Sequence, residues 1–168
     1  ICPFDRFSDS LAHHGKYLAV GAMNRSEGGI GSGRLYVFNI ENNQLVHDIG
    51  LNDPGVFEEF GASVDIDDRY ILVGAPSNSN VDVLVGAAFL YELDSGRLKH
   101  AFYAPSGRPF DQMGISVSLV GQYAIVGSPG RSYPSNDSSG IVHVFHTETG
   151  ELLHTLFPRM DIPIIDFG

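Results

Sequence analysis

Three histidines, His47, His100 and His154, recur at nearly constant spacing along this chain. Imidazole is a common metal ligand, so three of them meeting on one axis could form a ring of ligands. Three acids recur in the same way: Asp5, Glu58 and Asp111. On a loop face such carboxylates could contact a ligand, or they could cap turns and bind water. Arg131 and Tyr133 are candidate ligand contacts by residue type, in a loop rich in small polar residues. Asn24-Arg25-Ser26 and Asn136-Asp137-Ser138 are N-glycosylation sequons. Enzyme patterns fail: Gly114-Ile115-Ser116-Val117-Ser118 lacks the closing glycine of a nucleophile elbow. The glycine-rich Gly28–Gly33 stretch has no dinucleotide-binding spacing and reads as a hairpin loop. The lone cysteine, Cys2, cannot form an internal disulfide; it is a free thiol or pairs with another chain.

All of these residues sit on a larger periodicity. Phe7, Phe60 and Met113 occupy equivalent places 53 residues apart, and Phe167 follows after 54. FGASVDIDDRYILVGAP, from Phe60 to Pro76, is repeated as MGISVSLVGQYAIVGSP from Met113 and, more loosely, as FSDSLAHHGKYLAVGA from Phe7. Each copy resumes at a glycine (Gly33, Gly86, Gly140) and runs through a turn at Asn42-Asn43, Ser95-Gly96 or Thr149-Gly150. The chain therefore reads as one segment, 1–168, with repeats 7–59, 60–112 and 113–166 and the start of a fourth at 167–168. A period this long belongs to solenoids, arrays and propellers.

Each copy predicts four strands. In the second copy these are Ala62–Ile66, Tyr70–Ala75, Ala87–Leu93 and Leu98–Tyr103. The Tyr70–Ala75 run is apolar throughout, as in a strand covered on both faces. Alternation sends Phe89 and Tyr91 one way and Ala88 and Leu90 the other. A small sheet that is apolar on both faces must lie between two layers, and neighbouring copies can supply them. The expected fold class is all-β, with three four-stranded blades of a β-propeller. A β-sandwich is the main alternative, but it would not require so even a period. The fourth strand of a blade is normally outermost. That placement would keep the three histidines apart and give them a packing or hydrogen-bonding role. His13-His14 is expected in a solvated turn. The acids and the loops Met23–Ser32, Ser77–Val85 and Gly130–Ser139 are expected on one face.

Phe60-Gly61, Ser63-Val64 and Gly74-Ala75-Pro76 resemble the FG-GAP repeat, which builds integrin α-chain propellers and many secreted and cell-surface proteins. The third copy keeps Met113-Gly114 and Gly127-Ser128-Pro129; the first has Ser8 for the glycine and Met23 for the proline. Kelch and WD40 repeats rely on tryptophans, and this chain has none. In integrins the loop between the first two strands carries a calcium site. Here it contracts to His14-Gly15, Asp67-Asp68 and Val120-Gly121. Asp65, Asp67 and Asp68 crowd the turn too closely to supply the six to eight oxygens that calcium takes. They are read as a solvated turn, and no metal or cofactor is expected.

With 10 basic and 20 acidic residues the net charge is −10, which disfavours nucleic acid and anionic membranes. No apolar run approaches the roughly 20 residues of a membrane-spanning helix. The chain does not begin with methionine and reads as a mature or excised piece. The resemblance implies a non-enzymatic binding or adhesion module, extracellular or at the cell surface, with a protein or glycan ligand. Alternatives are a structural subunit of a surface assembly or filament, a carbohydrate-binding lectin, and an accessory propeller of a larger hydrolase. Three blades leave sheet faces open, so the expected partners are the remaining blades of a larger propeller or further copies of the chain.

Overall fold

The computed structural model describes residues 5–26, 30–52, 56–79, 84–130 and 140–158. Among them are twelve strands and no helix. The first sheet holds β1 (Phe7–His14), β2 (Tyr17–Ala22), β3 (Arg34–Asn39) and β4 (Gln44–Ile49). In the second are β5 (Ser63–Ile66), β6 (Tyr70–Ala75), β7 (Ala87–Glu92) and β8 (Leu98–Phe102). The third comprises β9 (Ser116–Val120), β10 (Tyr123–Ser128), β11 (Ile141–His146) and β12 (Leu152–Leu156). Each sheet is antiparallel, with its strands side by side in chain order. The predicted bounds differ by a residue or two at strand ends. His13 and His14 close β1, and the turn begins after them.

Local chemistry sets the hairpins. Gly15 and Gly121 take positive φ, 53° and 59°, in the turns between the first two strands. Asp67 replaces that glycine's role in the second sheet, its Oδ1 accepting the amides of Arg69 (2.8 Å) and Tyr70 (2.7 Å). The hairpins joining the third and fourth strands share one irregularity, a register shift at Val37/Phe38, Leu90/Tyr91 and Val144/Phe145. Such bulges bend and twist the outer strand.

Packing follows the alternation. Ile71, Val73, Phe89 and Tyr91 of the middle sheet bury against Ala19, Leu35 and Val37 of the first. From the opposite face, Leu72, Ala88 and Leu90 bury against Met113, Ala124 and Val126 of the third. Every residue of β6 is buried. In β10 burial alternates, with Tyr123 exposed and Ala124, Val126 and Ser128 buried. The opening strands β1, β5 and β9 adjoin in series, so the sheets fan around their first strands as propeller blades do. β4, β8 and β12 form the outer edges.

The junctions repeat one device. Ser10 Oγ donates to Gly61 O (2.7 Å), and Ser63 Oγ donates to Gly114 O (2.7 Å). Beneath these bonds lie Gly21 and Gly74, where an added Cβ would stand 2.0 Å and 1.9 Å from the same two carbonyl oxygens. Only glycine lets adjacent blades approach this closely.

Candidate ligand-binding face

The joins between blades meet the described bases of the first two long loops. Phe60 N donates to Ser32 O (3.1 Å) and Met113 N to Val85 O (2.9 Å), so each join crosses the base of the preceding blade's loop. Phe57 N donates to Ile30 O at 2.8 Å. In the first two blades the join and the base of the long loop therefore lie together, as expected, while 131–139 of the third loop lie outside the described residues.

The three acids lie under this face, all buried. Asp5 pairs with Arg25. Glu58 accepts from the amide of Asn78, which stands where Arg25 stands in the first repeat. Asp111 Oδ2 accepts Arg108 N at 2.8 Å, and its carbonyl accepts Gly130 N at 3.2 Å. Buried carboxylates need such partners, and the observed bonds tie the join to the start of the long loop. Next to Glu58, Glu59 Oε2 accepts the Ser77 hydroxyl at 2.6 Å. Arg131, Tyr133 and Asn136 lie outside the described residues, as do Cys2 and Phe167-Gly168. Asn24 sits in the turn after β2, half-buried, with its carbonyl near the Ser26 hydroxyl.

Among the described residues, the joins carry large exposed apolar side chains. Phe57 and Phe110 are 60% and 59% exposed and occupy equivalent repeat positions. Both have positive φ, 59° and 68°. A bulky residue rarely adopts that region, and strain of this kind collects at functional sites. The Phe57 ring lies over Gly31, where a Cβ would come within 2.7 Å of it. Ile30 and Val56, both strongly exposed, extend the patch. The sequence signal was available, since phenylalanine recurs three places before Phe7, Phe60 and Met113. An aromatic there looks like core, however, and its backbone conformation is what turns it outward.

A second concavity opens between the first two blades at their outer edge. It is a groove of about 820 Å³ with Phe89 and Tyr91 in its floor and Asp48, Asn52 and Arg97 among its polar lining. Burial pushes the Tyr91 hydroxyl well above the usual phenol range, helped by the neighbouring Tyr103.

The histidines form no ring. His47 Nε2 lies 2.6 Å from Leu93 O, and His100 Nε2 lies 3.0 Å from Glu148 O. Each imidazole thus reaches from an outer strand onto the outer turn of the next blade. Near it, Glu148 accepts from Lys99 (2.8 Å), Arg69 (2.8 Å) and Tyr70 (2.7 Å) of the middle blade. Hydrogen bonding to Lys99, then to Tyr70, holds the Glu148 carboxyl at about 2. Asp65 also does more than cap a solvated turn: its Oδ2 accepts Leu119 N of β9 at 2.6 Å. Among the described residues no group of three His, Cys, Asp or Glu could hold a metal ion.

The junction glycines, the preceding serine and the leading aromatic make one unit, and the comparison with family models bears on that unit. Residues 49–91 match the model of the FG-GAP repeat. The chain carries an FG-GAP repeat. The match runs from the end of β4 through most of β7, and so covers Phe60-Gly61 and Gly74-Ala75-Pro76. Search of curated proteins gave no match. The FG-GAP residues have visible roles here. Phe60 is fully buried, edge-on to Phe89 (5.7 Å) and Tyr91 (6.0 Å). Gly61 offers its carbonyl to the previous blade, and Gly74 clears space for the next.

Proposed function

We propose that this chain is a non-enzymatic binding module, extracellular or at the cell surface, which engages a protein ligand through the loop face of its FG-GAP blades. The observation that carries this reading is the pair Phe57 and Phe110, largely exposed and held at equivalent places in a strained backbone. Solvent-facing aromatics beside Ile30 and Val56 fit the aromatic anchors that dominate protein interfaces. The buried acids support them from below: Glu58 with Asn78, and Asp111 with Arg108 and Gly130, fix the loop bases and so lower the cost of ordering the face on binding. In this reading Asp5, Glu58 and Asp111 position the loops, and the aromatics above them touch the ligand.

The test is a binding screen of the chain against extracellular proteins, repeated with Phe57→Ser, Phe110→Ser and the double variant. An aromatic anchor contributes about 2 kcal/mol, so each single variant should weaken binding by roughly 30-fold. Binding that survives the double variant unchanged would remove the loop face from consideration.

A glycan ligand is the second reading, favoured by the groove between the first two blades. Its size suits a small ligand, and its aromatic floor with an Asp48, Asn52 and Arg97 rim suits a sugar ring and its hydroxyls. A glycan array separates the two: glycan binding abolished by Arg97→Ala and untouched by Phe57→Ser would favour the groove.

A further inference from the structure

The trailing face of the third blade carries the same docking device, and among the described residues no leading edge occupies it. At the two internal junctions, Ser10 and Ser63 bond the carbonyl of the next blade's leading glycine. Ser116 holds the same position, and among the described residues its hydroxyl has no partner. A Cβ on Gly21 or Gly74 would strike that leading glycine, whereas the three atoms nearest to one on Gly127 all belong to Ser116 of the same blade. An open groove of about 450 Å³ lies at this place, lined by Ile115, Ser116, Gly127, Gly140, Ile141 and Leu156. Leu156 and Ile115 are 54% and 44% exposed, while the leading Phe60 and Met113 that fill the internal junctions are fully buried.

We propose that this groove is a docking slot for a leading Phe-Gly edge, and that its occupant is the chain's own Phe167-Gly168. Tether length supports the assignment. A nine-residue step separates Leu51 from Phe60 and Ala104 from Met113, and the same step leads from Pro158 to Phe167. A tether of matched length keeps the local concentration of the edge high.

A second copy, docking head to tail, is the competing occupant, and the first blade's leading edge argues against it. That edge is Phe7-Ser8. A Cβ on Gly61 would lie 2.6 Å from Arg34 O, and one on Gly114 would lie 2.2 Å from Ala87 O. Ile141 is their equivalent in the third blade, so Ser8 would press its Cβ into the Ile141 carbonyl. Asn43 adds a second obstacle. Its equivalents Gly96 and Gly150 lie under His47 and His100, where a Cβ would approach the rings to 2.8 Å and 2.7 Å. His154 would meet that Cβ in a head-to-tail pair. The first blade has lost the two glycines that a following FG-GAP blade uses, and the slot on the third blade keeps everything its side requires.

The chain has no tryptophan, so Phe167→Trp installs a unique probe. In the full chain its emission should be shifted to the blue of free tryptophan amide and shielded from acrylamide, independently of protein concentration. Gly127→Val, which fills the slot, and Gly168→Val, which leaves the slot intact, should each return the emission to that of exposed tryptophan with the far-ultraviolet circular dichroism unchanged. A second measurement avoids the larger ring: amide resonances of Ser116, Gly127, Gly140 and Ile141 should shift between the parent and Gly168→Val. An exposed tryptophan with no such resonance shifts overturns the proposal. Burial that develops only as concentration rises also overturns it, by assigning the slot to a second copy.

Discussion

Gly74→Ala puts the blade geometry at risk with one methyl group. Gly74 lies inside β6 without positive φ. By strand propensity alone, replacing glycine with alanine should stabilise by about 0.5–1 kcal/mol. Packing predicts the opposite. The new Cβ would stand 1.9 Å from Gly114 O and 2.8 Å from Gly114 C, against an ordinary contact of 3.4–4 Å. Ser63 Oγ, at 2.3 Å, can rotate away, but it then gives up its bond to Gly114 O. The carbonyl belongs to the next blade's backbone, so relief requires the junction to open by about 1.5 Å. A gap of ~0.5–1 Å already forfeits a quarter to a half of a dispersion contact, and this junction buries Leu72, Leu90, Met113 and Val126. A loss of about 3 kcal/mol follows from that opening and the lost hydrogen bond. For a chain of this size that is a fall in Tm of about 6–12 °C. Thermal and urea unfolding by circular dichroism measure it. Gly15→Ala is the control, since its Cβ meets nothing within 4 Å and carries only the strain of φ +53°, about 1–2 kcal/mol. A Gly74→Ala variant as stable as the parent would refute the close approach of the blades.

The histidine clamps should divide by blade. His47→Ala loses the 2.6 Å contact to Leu93 O and should cost about 1 kcal/mol, while the exposed His154 changes stability by less than about 0.5 kcal/mol when truncated; paired urea titrations compare them. Phe60→Ala empties a fully buried site and should cost about 3–5 kcal/mol, visible as a lower unfolding midpoint at unchanged m-value. Glu148→Gln should flatten the acid limb of stability. The folded carboxyl titrates at about 2 against an ordinary 4.5, so its contribution is complete above pH 4.5 and fades as pH falls toward 2. Parent and variant with the same slope of Tm between those values would show that Glu148 holds no junction.

The blade was legible because burial on two faces leaves a mark in sequence. Tyr70–Ala75 has no polar interruption, and the opposed directions of Phe89/Tyr91 and Ala88/Leu90 follow from alternation alone. Junction chemistry was less visible. The hydroxyl of Ser63 finds Gly114 and the carboxylate of Asp65 finds Leu119, partners more than fifty residues away that depend on how neighbouring blades twist. The joins carried an ambiguous signal. The acids read as ligand contacts or turn caps on a loop face, but Glu58 and Asp111 are buried, and it is Phe57 and Phe110, at positive φ, whose rings are exposed. Side-chain type does not reveal that inversion; the backbone conformation creates it.

The middle blade is sealed by a different neighbour on each face. Methyl-to-methyl nuclear Overhauser contacts in a selectively labelled chain test this in one experiment. Val73 and Ile71 should connect to Ala19, Leu35 and Val37 of the first blade, and Leu72 and Leu90 to Ala124 and Val126 of the third, with no cross-peak joining Val37 to Val126. A direct Val37–Val126 contact, or one face of the middle sheet without partners, would contradict radial stacking of the three sheets.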